Sequence, residues 1–83
     1  MMEIKELRDD LKLYLKKHNL LKKYNKAKGL FENNPLHPSL NTEILEPKHR
    51  LIYSFRIDIQ YRAIFLYIDD NEIEIIAITN HYK

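Results

Sequence analysis

The C-terminal half of the sequence consists of alternating apolar residues separated by short polar turns, and this pattern constrains the fold most strongly. Residues 51–59 alternate as a half-buried strand does, and residues 61–68 are apolar on both faces, as in a mid-sheet strand. The Asp-Asp-Asn segment at 69–71 supplies turn chemistry before a third stretch, residues 72–79. The pattern predicts an antiparallel β-meander.

The N-terminal half is typical of two helices. Apolar residues recur at helical spacing from Ile4 to Leu15, which places the start of helix one almost at the N-terminus. A second helical pattern runs from Leu20 to Phe31, and Pro35 then stops it. We expect the many lysines of this hairpin to be solvated rather than bound to nucleic acid. A short strand is predicted within residues 41–46.

Length and composition favour one small α+β domain, residues 1–83. The chain has 83 residues and no cysteine, so disulfides and thiolate metal sites are excluded. Its net charge is only +2, so the overall electrostatic field of the protein gives little evidence for a nucleic-acid partner. No stretch is long and apolar enough to span a bilayer, and the first residues lack the apolar region of a signal peptide. We therefore expect a cytoplasmic protein.

The register of the meander decides which side chains share a face. If Asp70 and Asn71 form a two-residue hairpin loop, Arg62 lies opposite Thr79, and His81 falls on the same face. The remaining residues of this face are apolar, which predicts either a curled sheet or a docked partner, in a homodimer or a hetero-complex. The apolar residues concerned are Ile52, Ile64, Leu66, Ile68, Ile73 and Ile75.

A second arginine joins this face if the first loop is symmetric about Ile59, because Arg56 then lies opposite Arg62. Two opposed arginines repel each other, so an anion or a carboxylate is expected between them. Asp58 is the candidate carboxylate, and a bound phosphate is the functional alternative.

Several short motifs, in this order, resemble those of the RelE/ParE toxin superfamily. The motifs are Asn34-Pro35, His37-Pro38-Ser39-Leu40, Tyr53-Ser54-Phe55-Arg56-Ile57, Tyr61-Arg62-Ala63-Ile64-Phe65 and Asn80-His81-Tyr82. The resemblance implies two helices packed on a curved antiparallel sheet. It also implies the toxin of a type II toxin–antitoxin system, an mRNA interferase of the YoeB, HigB or RelE kind that arrests growth by cutting messenger RNA, often on the ribosome, and uses no metal or other cofactor.

The same resemblance implies four catalytic residues: Arg56, Arg62, His81 and Tyr82. In such a site a ribose 2′-hydroxyl attacks the adjacent phosphate, which requires an acid, a base and positive charge. His81 suits the acid or base, since histidine titrates near neutral pH, and two guanidinium groups match phosphate oxygens. Tyr82 has the opposite parity to His81 and reaches the site only if the terminus leaves regular strand geometry.

Further residues are candidates for binding substrate. Lys48, His49 and Arg50 form a basic turn that would touch the RNA or ribosomal backbone, with an ordinary exposed turn as the alternative. His37 resembles a family histidine used in catalysis, although its position favours capping of the connector. Glu46 is a possible general base.

One departure from the family is the first edge strand, which has no room ahead of a helix that starts near the N-terminus, so the sheet edge is expected to be open. Two alternative functions remain: a non-enzymatic inhibitor of a DNA topoisomerase, of the ParE kind, or an inactive assembly module, which the missing strand supports. The mRNA interferase and the topoisomerase inhibitor are both toxins, and each implies a cognate antitoxin protein as partner.

Overall fold

The computed structural model describes residues 2–80, in which two helices pack on one face of a five-stranded sheet. The elements are β1 (Glu3–Ile4), α1 (Asp9–Lys17), α2 (Leu21–Asn33), β2 (Glu43–Ile44), β3 (Tyr53–Arg56), β4 (Tyr61–Tyr67) and β5 (Glu72–Asn80). The strand order is β1-β5-β4-β3-β2. The predicted α+β class, with a helical hairpin packed on a small sheet, is confirmed.

The first edge strand is present, which corrects the prediction that it is missing. β1 pairs in parallel with β5, and the amides of Glu3 and Lys5 donate hydrogen bonds of 2.8 and 2.9 Å to the carbonyls of Asn71 and Ile73. The sheet is therefore mixed rather than wholly antiparallel. The error arose because Ile4 is buried as part of a strand, yet its spacing from the apolar residues of α1 is helical.

Helix α1 begins five residues later than the end of β1, at Asp9. Asp9 and Asp10 lie in its first turn, and Lys16 and Lys17 lie in its last, so both ends carry charges that oppose the helix dipole. Helix α2 ends at Asn33, and the next residue, Asn34, is extended before Pro35 as expected.

The hairpin between β4 and β5 places Arg62 opposite Thr79, as predicted, although its loop is not the predicted one. The loop spans residues 68–71 rather than 70–71. Within it the carboxylate of Asp69 accepts a hydrogen bond of 2.7 Å from the amide of Asn71. This Asx turn lengthens the loop.

A β-bulge compensates for the longer loop. Ile64 pairs with Ala77, and Phe65 pairs with Ile75, so Ile76 is an extra residue in β5. The two departures from the simple hairpin cancel at the far end of the strands, which is why Arg62 still lies opposite Thr79.

The bulge also redistributes the apolar side chains, correcting part of the predicted face. Ile73 and Ile75 are 0% and 1% exposed and pack in the core beneath the helices, whereas they were expected beside Arg62. Phe31 of α2 stacks on Phe55 and meets Phe65 edge to face, with ring centroids 5.1 and 5.2 Å away, and these contacts hold α2 on the sheet. No helix within residues 2–80 is long and apolar enough to cross a membrane.

Candidate functional site

Arg56 and Arg62 are directly opposed on β3 and β4, which confirms the predicted register of this hairpin. Ser54 lies two residues before Arg56, so its side chain is on the same face of the sheet. Glu43 of β2 pairs with Ser54 and therefore shares that face as well. We call this group of four side chains, Glu43, Ser54, Arg56 and Arg62, the arginine face.

The side chain of Arg62 crosses β3 and is held by hydrogen bonds along its length. Its Nε donates to Oγ of the buried Ser54 at 2.9 Å, and its Nη2 donates to the carbonyl oxygens of Asn41 and Ser54 at 2.6 and 3.3 Å. Asn41 adopts a left-handed conformation with φ of 44°, a region that asparagine tolerates better than most residues. Arg62 is only 5% exposed.

Burial lowers the pKa of Arg62, the carboxylate of Glu43 acts against that shift, and the charge of Arg56 reinforces it. An arginine remains protonated at physiological pH despite such a shift. Arg62 is thus a fixed and permanent cation at the floor of the arginine face. Its Nη1 nitrogen makes none of the hydrogen bonds described above.

Glu43 is the carboxylate beside the arginines. One of its oxygens, Oε1, lies 3.7 Å from Nη2 of Arg62, and its side chain is 49% exposed. The carboxylate therefore faces solvent at the edge of the arginine face while remaining within ion-pair distance of the buried cation.

Asp58, predicted as the carboxylate between the arginines, serves the β3–β4 turn instead. Its Oδ1 accepts hydrogen bonds of 2.8 and 2.7 Å from the amides of Gln60 and Tyr61, and its Oδ2 lies 3.0 Å from Nζ of Lys23. Burial alone would raise the pKa of Asp58, but the two amides and Lys23 together hold it below its ordinary value. Asp58 fixes the turn that sets the register of Arg56 against Arg62.

Arg56, in contrast to Arg62, is exposed. Within residues 2–80 its guanidinium makes no hydrogen bond or ion pair. It lies two residues beyond Ser54, and the pairing of β2 with β3 involves only Tyr53 and Ser54. Its five donors are therefore available to an anion at the open edge of the face.

Two groups of predicted substrate-binding residues lie on short 3₁₀ turns. Lys48, His49 and Arg50 form one such turn and are exposed, so the basic turn exists and its contact with RNA stays a prediction. His37 begins the turn Pro38–Leu40, and its Nδ1 accepts a hydrogen bond of 3.1 Å from the amide of Ser39. The capping role is confirmed, and a role of His37 in binding substrate stays a prediction.

His81 and Tyr82 lie outside the described residues, so their predicted catalytic roles stay predictions. They directly follow β5, whose last residue, Asn80, pairs with Tyr61.

Glu43 was not among the predicted site residues, whereas Glu46 was a candidate general base. Glu46 is exposed and falls after β2, before the cis peptide bond to Pro47. The pairing of Glu43 with Ser54 was not readable because eight residues separate β2 from β3, and a loop of that length does not fix the register. The available signal was the alternation of Thr42, Glu43 and Ile44, which marks the strand.

An apolar groove of ≈ 280 Å³ adjoins the arginine face. It is lined by the side chains of Leu45, Ile52, Ile64 and Ile76, with Glu46, Pro47 and Arg50 at its rim. Ile52 and Ile64 were predicted on this face, and Ile76 joins them because of the bulge in β5. The predicted apolar surface beside the arginines is therefore smaller than expected but real.

Comparison with known proteins gives a consistent structural result. No protein-family model and no curated protein matches the chain. Among solved structures, it is similar to the YoeB/ParE toxin from Agrobacterium tumefaciens, with 17% identity, a TM-score of 0.69 and 98% of each chain covered.

It is also similar to chains of two YoeB-YefM structures from Staphylococcus aureus. The first, a YoeB-YefM complex, gives 25% identity and a TM-score of 0.68, covering 99% of this chain and 97% of that chain. The second, a heterotetrameric YoeB-YefM toxin–antitoxin complex, gives 24% identity with the same TM-score and coverage. The chain therefore has the fold of the YoeB and ParE toxins, in agreement with the resemblance of its motifs to the RelE/ParE toxin superfamily.

Proposed function

We propose that this chain is the toxin of a toxin–antitoxin system and that it acts as an endoribonuclease on messenger RNA. The observation that carries the proposal is the pairing of an accessible carboxylate with a fixed cation on one face: Oε1 of Glu43 lies 3.7 Å from Nη2 of Arg62. The exposed guanidinium of Arg56 lies directly across from Arg62 on the neighbouring strand. This is the arrangement that attack of a ribose 2′-hydroxyl on the adjacent phosphate requires.

In the proposed reaction, Glu43 accepts the proton of the 2′-hydroxyl as its oxygen attacks phosphorus. The phosphorane that forms carries extra negative charge, which the guanidinium groups of Arg56 and Arg62 stabilise. The 5′-oxygen leaves with a proton, which His81 supplies in the role that the family resemblance gives it. The products are a 2′,3′-cyclic phosphate and a 5′-hydroxyl.

The rigidity of Arg62 supports this role. A donor that is already fixed by Ser54 and Asn41 does not have to reorganise as charge develops on the phosphate. Arg56 supplies the adaptable part of the site, since within the described residues nothing restrains its guanidinium. Tyr82 and the basic turn of Lys48, His49 and Arg50 are proposed to orient the RNA, which the toxin meets free or on the ribosome.

The partner proposed for the chain is a cognate antitoxin, as in the YoeB-YefM complexes to which the fold is similar. The apolar groove beside the arginine face suits an apolar side chain of such a protein, and an acidic residue next to it would neutralise Arg56. An antitoxin bound there would cover the site and block RNA at the same time.

A second candidate is a ParE-like inhibitor of a DNA topoisomerase. The internal hydrogen bonds of Arg62 favour it, because three of the donors that could bind phosphate are already used within the protein. Such an inhibitor needs no general base, so the two candidates differ in their dependence on Glu43.

Induced expression in a bacterial host, with and without Glu43→Gln, distinguishes the two functions. We expect the wild type to arrest growth and fragment transcripts. Glu43→Gln keeps the size of the side chain but removes the base, so cells that express it should grow normally and keep intact transcripts. Arrest by both proteins with intact transcripts and a DNA-damage response would establish the topoisomerase alternative. Normal growth on expression of the soluble wild-type chain would argue against any toxin function.

A further inference from the structure

A groove of ≈ 370 Å³ runs from the arginine face towards α2. Its floor is formed by the buried residues Ala27, Leu40 and Ile57, and its cationic rim by Lys23, Lys26 and Arg56. The groove is distinct from the apolar groove described above, which lies beside β2 and the bulge of β5.

Positive charge is concentrated at this rim although the chain as a whole carries a net charge of only +2. The single carboxylate of the lining, Asp58, is paired with Lys23 at 3.0 Å. Lys26 and Arg56 form no ion pair within residues 2–80. Their charge therefore faces the groove uncompensated.

The groove is continuous with the arginine face because Arg56 belongs to both. β2 covers the outer edge of β3 at Tyr53 and Ser54 and ends there. At Arg56 the edge of the sheet is open, and the groove begins at this point. An RNA chain with one phosphate between Arg56 and Arg62 can extend along this groove on one side of that phosphate.

A cationic rim over a short apolar floor fits a polyanion that also presents flat apolar surface, and single-stranded RNA has both properties. Ile59, 79% exposed at the groove's edge, offers such a surface to a base. We propose that this groove binds the phosphodiester backbone of the RNA strand flanking the scissile phosphate, with Lys26 as its principal contact beyond Arg56. The inference rests on the proposed ribonuclease function and extends its substrate site onto α2.

The test measures binding without cleavage. A short single-stranded RNA carrying 2′-O-methyl groups throughout lacks the attacking hydroxyl, and its affinity for the full chain is followed by fluorescence anisotropy over a range of salt concentrations. The variants are Lys26→Ala and its control Lys28→Ala, which lies on the same helix but points roughly 200° away. Lys28 lines a different cavity, together with Lys5 and Leu7.

We expect Lys26→Ala to weaken RNA binding about threefold to tenfold and to reduce the slope of log affinity against log salt by about 0.7, the loss of one phosphate contact. Lys28→Ala should match the wild type in both. Wild-type affinity and slope for Lys26→Ala would overturn the inference, as would a wild type that does not bind the RNA.

The same variants separate this inference from the proposed function. If the wild type fails to cut unmodified RNA but Lys26→Ala still weakens binding, the groove is supported and the proposed chemistry is not. If the wild type cuts RNA and Lys26→Ala binds normally, the chemistry is supported and the groove is not. Weaker binding of an acidic peptide by Lys26→Ala, with RNA binding unchanged, would assign the groove to a protein partner and overturn the inference.

Discussion

Arg56 and Arg62 occupy opposed positions on neighbouring strands, yet Arg56 is exposed whereas Arg62 is buried and held by hydrogen bonds. Ser54 accounts for much of the difference, since both its side chain and its carbonyl accept from Arg62. The repulsion expected between two opposed arginines is reduced because Arg62 turns across β3 towards Glu43. The pair thus divides into a structural cation and an adaptable one.

This division predicts that Arg62→Ala is mainly a folding defect. The substitution leaves the buried Oγ of Ser54 without its donor and removes the links from β4 to β3 and Asn41, which should lower the free energy of unfolding by about 2–4 kcal/mol. Urea unfolding measures the loss. A variant as stable as the wild type would contradict the structural role, and toxicity assays of Arg62→Ala are interpretable only beside this measurement.

Arg56→Ala is predicted to have the opposite profile. Its side chain is exposed and makes no hydrogen bond or ion pair within the described part of the chain, so the free energy of unfolding should change by no more than about 0.5 kcal/mol. Cleavage of RNA should fall at least about tenfold, because a cation that stabilises the phosphorane is lost. Rates on a labelled oligonucleotide test this, and an unchanged rate would remove Arg56 from the site.

The contribution of Asp58 to stability is predicted to depend on pH. Its pKa is depressed in the folded protein, so its charge contributes stability that is complete above its unfolded pKa of about 4 and is lost as the pH falls through the lower, folded pKa. Asp58→Asn should therefore be less stable than the wild type near neutral pH, and the difference should shrink in acid. Thermal unfolding of both proteins between about pH 7 and pH 3 measures it. A difference that stays constant would mean that the charge of Asp58 does not contribute.

The contribution of the short strand β1 to stability is tested at its buried residue, Ile4. Ile4 is 8% exposed and packs in the core, so Ile4→Ala should cost about 2–4 kcal/mol of unfolding free energy. Leu13→Ala is the matched control, because Leu13 is 65% exposed on α1. Equal stability of the two variants would show that β1 adds little to the fold.

The fold was largely predictable because its strongest signals are local. The alternation of residues 51–59 and the apolar run of residues 61–68 indicated the central strands, which span Tyr53–Arg56 and Tyr61–Tyr67. The predicted symmetric loop placed Arg56 opposite Arg62 correctly. What the sequence left unpredicted depended on single-residue irregularities or on long-range pairing: the bulge at Ile76, the two-residue strand β1, and the register of β2. A two-residue strand has too few positions for a periodic pattern, and its existence is decided by the neighbour that it pairs with.

The candidate site shows the same limit. The resemblance and the register identified its arginines, but the carboxylate beside them, Glu43, became visible only when β2 was paired with β3. Asp58 was the nearer carboxylate in sequence and is used by the turn.

The most direct measurement is the reaction of purified protein with an RNA oligonucleotide and with the same oligonucleotide carrying one 2′-deoxy sugar on the 5′ side of the cut. We expect cleavage of the RNA to a 2′,3′-cyclic phosphate and a 5′-hydroxyl, and no cleavage at the deoxy position. Cleavage of the deoxy substrate at the same bond would contradict attack by the 2′-hydroxyl. An absence of RNA cleavage by a folded protein that still arrests growth would contradict the ribonuclease function itself.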